Sequence, residues 1–212
     1  MRLHPFIFLC LAIFTSCGKK PSGEVVIGIQ PFGSFSPSLV DTVKQAVREV
    51  YGFKTVTLQS QELPASAFVN IKSPRYRADL LLPYLKKTRP DSVDYVLGLT
   101  DRDISTTKKD AFGKLKKPES RYKDWGVCGL GYRPGPCAVV SVFRLKTNDR
   151  KRYMERFKKT CIHEIGHNLG LPHCESDVKC VMRDAAETVK TIDQVDLWLC
   201  DQCKRDLGIR GS

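Results

Sequence analysis

Apolar residues along the chain fall into short uninterrupted runs and into longer stretches with helical spacing. Runs of about four to eight apolar, often β-branched residues are typical of buried strands. Three such runs come first: VVIGIQPF (25–32), KTVTLQ (54–59) and DYVLGLT (94–100). VCGLGY (127–132) and AVVSVFRL (138–145) follow, and the short RPGPC link between them predicts that these two strands pair.

Helical spacing separates several of these strands. In SLVDTVKQAVREVYG (38–52) apolar residues recur every three or four positions, and Gly52 predicts the C-terminal end of a helix. A second helix is predicted over much of 75–87, although Pro83 counts against an unbroken one. The segment 102–124 contains eight Lys or Arg and few large apolar residues, which predicts a long exposed loop. The order of these elements predicts one compact α/β domain built on a mixed, twisted sheet.

The longest helical pattern runs through NDRKRYMERFKKTCIHEIGHNLG (148–170). Its apolar stripe recurs at spacings of three and four, which predicts a core-facing side that buries Cys161. Asn148 or Asp149 can cap the start, and Gly170 is expected to end the helix.

Composition places the chain among soluble globular proteins, with 42% hydrophobic and 27% charged residues. Its 212 residues suffice for one domain with a sizeable core. The formal net charge of +12 favours either a solvated basic surface or an anionic partner, such as an acidic peptide, a lipid headgroup or nucleic acid.

The first seventeen residues differ in kind from the rest. PFIFLCLAIFT (5–15) is an uncharged run of 11 residues, too short to span a bilayer and typical of a signal peptide. FTSC, which ends at Cys17, resembles the lipobox of bacterial lipoproteins, whose cysteine is lipidated; an ordinary cleaved signal and an uncleaved anchor are the alternatives. We therefore expect a signal peptide over 1–16, a lipidated Cys17 that opens a tether over 17–23, and a folded domain over 24–212.

Such a chain would be an exported lipoprotein, anchored by its lipid to the membrane of a bacterial cell envelope. If Cys17 is not lipidated, a secreted or periplasmic protein is expected instead.

Three of the four histidines lie in HEIGHNLGLPH (163–173). His163 and His167 are four positions apart on the predicted helix, so their imidazoles project from one face and suit one tetrahedral Zn²⁺. Glu164 is rotated about 100° around the helix axis, a position from which it can hold a bound water.

Gly170 would let the third histidine reach the same metal. Glycine adopts positive φ without steric cost, so the chain can turn sharply after the helix and bring His173 back. Three neutral imidazoles leave one coordination position open, as in catalytic rather than structural zinc sites. HExxHxxGxxH followed by a methionine turn is a metzincin signature.

Four cysteines form a second candidate site: Cys174, Cys180, Cys200 and Cys203. Four thiolates would close the shell of a structural zinc. In an oxidising compartment the same cysteines could form disulfides instead, and the C-x2-C pair could be redox-active. Cys128 and Cys137, nine positions apart around RPGP, are a further candidate disulfide.

Together, HEIGHNLGLPHC, the later CVM and the final C-x2-C pair resemble the archaemetzincins over residues 163–203. The resemblance implies a metzincin-like zinc metallopeptidase with two Zn²⁺ per chain, one catalytic and one structural in a short C-terminal subregion. It favours zinc over disulfides for the cysteine tetrad, although the first pair here encloses five residues where the family usually has four. It also identifies Met182 with the methionine turn, a hydrophobic floor under the catalytic metal.

These residues predict peptide-bond hydrolysis. Zinc on the three histidines would lower the pKa of a water molecule to about 7, and Glu164 would accept its proton as general base. We expect a monomer that acts on a peptide or protein, and an acidic substrate would suit the net charge.

Two other functions compete with hydrolysis. The first is a non-catalytic, zinc-stabilised binding protein of the cell envelope. Such a protein would need neither Glu164 nor an open coordination position on the zinc. The second is a nucleic-acid binder that uses the basic surface. An exported chain meets little nucleic acid, so no nucleic-acid partner is expected.

Overall fold

The five apolar runs that predict strands form the five strands of the main sheet. The structure is a computed structural model that describes residues 24–110, 112–184 and 189–209. Its strands are β1 (Val26–Pro31), β2 (Lys54–Thr57), β3 (Phe68–Asn70), β4 (Pro74–Arg77), β5 (Tyr95–Thr100), β6 (Ile104–Thr106), β7 (Trp125–Val127), β8 (Gly129–Gly131) and β9 (Cys137–Ser141). Its helices are α1 (Pro37–Tyr51), α2 (Ala78–Thr88), α3 (Glu119–Tyr122), α4 (Arg150–Asn168), α5 (Val189–Gln194) and α6 (Asp201–Leu207).

The main sheet has the strand order β2-β1-β5-β9-β8. Its neighbours are parallel except at one edge, where β8 pairs antiparallel with β9. Parallel strands need cover on both faces. Residues of α1 and α4 pack on one face of the sheet, and residues of α2 pack on the other. The predicted mixed α/β architecture, including the β8–β9 pair, is confirmed.

Alternate residues of the strands point to opposite faces of the sheet and belong to two separate hydrophobic cores. Ile27 and Leu97 face the core that contains Phe157 and Cys161 of α4, and Cys161 is fully buried as predicted. Val96 faces the opposite core, beneath the leucines of α2. Because α4 packs directly on the sheet, residues at its C-terminal end are held at the β8 edge.

The segment 102–124 is only in part the long exposed loop that its charge predicts: the described residues of 107–123 are exposed or half-buried, whereas residues near its two ends are buried. β6 and α3 lie within it, and β6 belongs to a second sheet of order β3-β4-β6-β7. Asp103 and Asp124 are buried and form ion pairs with Arg75 at 3.3 and 3.4 Å. None of the eight Lys and Arg residues of the segment, all of which the structure describes, is buried. The buried charges are the two aspartates near its ends, which can be buried because Arg75 pairs with both.

The second helix begins later than its spacing predicts. Residues 74–77 form β4, and α2 starts at Ala78. Pro83 lies inside α2, where it removes the hydrogen bond that a backbone N–H would donate to the carbonyl of Asp79. Three buried leucines on the inner face hold the helix against the sheet despite this loss.

The N-terminal expectations lie outside the described residues. These are the signal peptide over 1–16, lipidation at Cys17 and the tether over 17–23. Among the residues that are described, no helix is both long and apolar enough to cross a membrane.

Candidate active site

Helix α4 positions three of the predicted site residues. Of the two candidate caps, Asp149 is the one used: its carboxylate accepts a hydrogen bond from the backbone N–H of Arg152 at 3.1 Å. The buried stripe of α4 fixes the helix against the main sheet. His163, Glu164 and His167 follow in its last turns, beside β8.

Gly170 makes the turn that the third histidine requires. α4 ends at Asn168, and Gly170 adopts a φ of 103°, a conformation that strains residues with a side chain. The N–H of Leu171 then donates to the carbonyl of Gly166 at 3.0 Å, so the chain folds back along the helix. This reversal brings His173 to the other two histidines, as predicted.

The three histidines converge at one point. Their candidate ligand atoms all lie within 4.8 Å of one another. Nδ1 of His163 donates to the carbonyl of Val181 and Nδ1 of His167 to that of Leu171, both at 2.8 Å, which leaves Nε2 of each ring for a metal. Burial lowers the pKa of His163 to about 3 and lowers that of His167 too, so both rings are neutral. This donor set fits a zinc ion.

Glu164 lies buried beside the histidines and under two glycines of β8. A Cβ at Gly129 would lie 2.6 Å from its Oε1, and a Cβ at Gly131 would lie 3.2 Å from Oε2. Only residues without a side chain leave room for the carboxylate at this edge. Burial raises the pKa of Glu164 to about 8, and a bound cation would lower it again. The group can therefore take up and return a proton near neutral pH.

Met182 lies against the helix that carries the histidines. It is fully buried, and a Cβ at Gly166 would overlap its sulfur. Tyr51 of α1 reaches the same point, where its hydroxyl donates to the carbonyl of Ile162 at 2.7 Å. The methionine and the tyrosine thus support α4 from the side of the main core.

The cysteine tetrad, Cys174, Cys180, Cys200 and Cys203, also converges. All four residues are buried, and their sulfurs lie within 4.8 Å of one another. The Sγ–Sγ distance is 3.5 Å between Cys174 and Cys200 and 3.8 Å between Cys180 and Cys203. Thiolates bound to one zinc at about 2.3 Å stand about 3.8 Å apart, whereas a disulfide requires about 2.05 Å. The donor set fits a four-coordinate metal, even with the extra residue between Cys174 and Cys180.

One short segment joins the two clusters. Cys180 belongs to the tetrad, and the carbonyl of the next residue, Val181, accepts the hydrogen bond of His163. The carbonyl of Met182 accepts from the backbone N–H of Cys174 at 2.8 Å. Because the third histidine directly precedes Cys174, the tetrad fixes the loop that carries it.

Cys128 and Cys137 do not form the disulfide that their spacing allowed. Both are free thiols. β8 and β9 pair with Gly129 opposite Val140, so Cys137 lies four residues along the ladder from the residue that faces Cys128. Four residues of strand span about 13 Å, whereas the Cα atoms of a disulfide lie within about 7 Å. The separation follows from the strand register, which the sequence spacing did not reveal.

The histidines and Glu164 line a cleft of about 590 Å³. Its walls come from β7, β8, α4 and the segment around α5, and several of the lining residues are apolar. Sequence reasoning missed the glycines of β8 and also Arg144, which lines the same cleft. Gly-Leu-Gly in the predicted strand VCGLGY was the one signal available for these glycines.

A three-histidine zinc site on a helix that ends in a glycine turn, set at the edge of a mixed sheet, defines a metzincin-type zinc metallopeptidase. Residues 24–208 match peptidase family M54, and the chain belongs to that family. An archaemetzincin of Methanopyrus kandleri is 33% identical over 166 residues, which are 78% of this chain and 84% of that protein. One of Haloarcula marismortui is 27% identical over 190 residues, or 85% and 98%.

Solved structures agree with this assignment. The crystal structure of the archaemetzincin from Methanopyrus kandleri superposes with a TM-score of 0.71 at 28% identity, covering 89% of this chain and 96% of that one. The archaemetzincin of Archaeoglobus fulgidus, complexed with malonate, gives 0.67 at 27% identity, covering 85% and 99%. The resemblance drawn from the sequence, the fold and the zinc metallopeptidase class are therefore confirmed.

Proposed function

We propose that this metallopeptidase hydrolyses peptide bonds with Glu164 as the general base. The observation that carries the proposal is the position of the Glu164 carboxylate, buried at the cleft beside three converging histidines. Zinc held by His163, His167 and His173 would polarise the substrate carbonyl and lower the pKa of the attacking water. Glu164 would accept the proton of that water on a carboxylate oxygen and deliver it to the leaving amine nitrogen.

We further propose that the tetrad holds a second, structural zinc. The spacing of its sulfurs and its burial support a closed site, which has no position for substrate. The role of this site would be to hold the loop of the third histidine and the carbonyl that orients His163. The corresponding measurement is zinc content per chain together with free-thiol titration of the denatured protein. Two zincs and free tetrad thiols are expected, whereas one zinc with an oxidised tetrad would refute the second site.

Substitution of Glu164 by Gln tests the general base. The amide is nearly isosteric but cannot accept the proton, so kcat should fall by about 10²–10⁴-fold while zinc content and melting temperature stay unchanged. Cleavage of a quenched fluorescent peptide library by both proteins measures this. Wild-type turnover in the variant would remove Glu164 from the mechanism.

The competing function, a zinc-stabilised binding protein, makes a different prediction for the same variant. A protein that only captures peptides would bind them equally well with Gln at position 164 and would release no products in either form. The buried acid at the cleft supports the peptidase over this alternative.

We also propose that the chain is exported and lipid-anchored at Cys17, on the strength of the apolar run and the FTSC sequence alone. Labelling of cells with a radioactive fatty acid tests this, with Cys17→Ala as the control variant. Label that persists in the alanine variant, or none in the wild type, would exclude lipidation at this residue.

A further inference from the structure

Positive charge predominates in the cleft. Among the described residues that line it, four are basic, namely Lys108, Arg133, Arg144 and Lys159. Glu164, which we assign to the proton transfer, is the acidic one in that lining set. A substrate that brings a negative charge would therefore meet a complementary field.

Arg144 is held in the wall of the cleft by a buried carboxylate. Its Nε and Nη2 donate to the two carboxylate oxygens of Asp103 at 2.7 and 2.8 Å, a bidentate pair. Asp103 is buried and also pairs with Arg75 at 3.3 Å. Gly126 gives the guanidinium its place, because a Cβ at that position would overlap it. The side chain is thus fixed before a ligand arrives, yet 35% of it is exposed.

The fixed guanidinium lies near the reacting groups. Gly126, against which it packs, and Gly129, against which Glu164 packs, are three residues apart along β7 and β8. Three residues of chain span at most about 10 Å, even when fully extended. Both charges also act on Cys128 between them: burial raises the pKa of its thiol to about 11, Arg144 opposes this rise, and Glu164 adds to it.

We propose that Arg144 binds a carboxylate of the substrate, so that the enzyme prefers peptides with an acidic group within about two residues of the scissile bond. Asp103 occupies two of the five N–H groups that a guanidinium carries, and the others can donate to an anion. Because the guanidinium is already ordered, little conformational entropy is lost on binding. The acidic group is either an Asp or Glu side chain or the C-terminal carboxylate of a short peptide. The inference rests on the proposed peptidase function.

The test compares matched peptides on the purified enzyme. One series places Glu or Gln at each of the two positions on either side of the scissile bond, and a second series ends in a free carboxylate or an amide. Wild-type enzyme should prefer the acidic member at one position by about ten- to a hundredfold in kcat/KM, the range of a charge-assisted hydrogen bond. Arg144→Met should remove this preference, and Arg144→Lys should retain part of it.

Arg102→Met is the matched control. It removes the same charge from a side chain that is 72% exposed and lies outside the lining of the cleft. This variant should keep the wild-type preference for acidic peptides, because it lowers the net charge by one without removing the guanidinium in the cleft. Equal loss of preference in both arginine variants would contradict a specific role for Arg144.

Arg144→Met also removes a partner of a buried aspartate, so the double variant Asp103→Asn/Arg144→Met, which keeps the pair neutral, is assayed beside it. Thermal denaturation then separates misfolding from lost recognition. The double variant should fold and lack the preference for acidic peptides. A folded double variant that still prefers them would overturn the proposal.

Binding separates this inference from the peptidase function. The affinity of each acidic and neutral peptide is measured by fluorescence anisotropy with Glu164→Gln and with Glu164→Gln/Arg144→Met. Discrimination that needs Arg144 without any turnover in the wild type would support the anion site and refute the peptidase function. Turnover without discrimination would support the peptidase function and refute the anion site at Arg144. Neither turnover nor discrimination would overturn both.

Discussion

The two ligand clusters are only one residue apart in sequence, at His173 and Cys174, yet they are built in opposite ways. Two of the histidines come from one long helix, and two of the three are only partly buried, at the wall of a cleft. The cysteines come from a loop and from the start of the short helix α6, and all four are buried. An open set suits chemistry on an incoming molecule, whereas a closed set suits stability.

Removal of one ligand from each cluster should give the largest contrast. Cys203→Ser would break the closed site and lower both stability and activity. The free energy of unfolding should fall by several kcal/mol, since structural zinc binds small peptides with about 10–16 kcal/mol. His167→Ala should abolish turnover and release one zinc with little loss of stability, because α4 is held by its apolar stripe. Thermal denaturation and zinc content measure both effects. Equal loss of stability in the two variants would remove the distinction between the clusters.

A smaller and more local perturbation is Gly129→Ala. The added methyl would lie 2.6 Å from Oε1 of Glu164 and push the carboxylate aside. Displacement of a catalytic group by about 1 Å can cost on the order of a hundredfold, so kcat should fall by this factor while both zincs remain. Gly28→Ala in β1 is the control, since its methyl would meet only the side-chain ends of Leu58 and Val93, and Gly28 does not line the cleft. A fully active Gly129→Ala enzyme would mean that Glu164 tolerates the shift.

The smallest effect concerns the ion pair that joins α5 to α4. Arg156 donates to both carboxylate oxygens of Asp193 at 2.7 and 2.6 Å, and these bonds lower the pKa of Asp193. A lowered folded pKa stabilises the protein above the unfolded value of about 3.9, and this contribution is lost as the pH falls through the folded value.

Asp193→Asn should therefore be less stable than wild type at pH 6, by up to about 1 kcal/mol because the pair is partly exposed. The difference should begin to shrink below about pH 3.9 and should vanish only when the pH falls below the lowered folded pKa of Asp193, where the residue is protonated in both states. Urea denaturation of both proteins at several pH values measures this, and any loss of metal from the tetrad in acid would affect both alike. A difference that does not change with pH would exclude the ion pair as its source.

Local spacing made the ligands predictable. The i, i+4 histidines, the glycine after the helix and the cysteine spacing depend on a few consecutive residues, and the structure brings these residues together as predicted. The central strands were equally predictable from the sequence, because buried parallel strands are continuous apolar runs.

Features that depend on long-range pairing were not predictable in this way. The second sheet contains three- and four-residue strands, and a buried pairing of Arg75 with two aspartates holds the segment 102–124 in place. The position of Gly129 over Glu164 follows from strand register, and that of Arg144 in the cleft depends on its pairing with Asp103, 41 residues away in sequence. No local pattern encodes register. For the same reason the sequence could not show that Cys128 and Cys137 lie too far apart for a disulfide.

The shared segment 180–182 has a consequence for how the enzyme matures. A metal bound at Cys180, as proposed, would fix the neighbouring carbonyl of Val181 that orients His163, and the carbonyl of Met182 holds Cys174, the residue that follows His173. We expect the first equivalent of zinc to enter the tetrad and the second to enter the histidines, a sequence that stepwise titration with a thiol probe would follow. A cell short of zinc would then accumulate folded but inactive enzyme, ready to be switched on by one further ion.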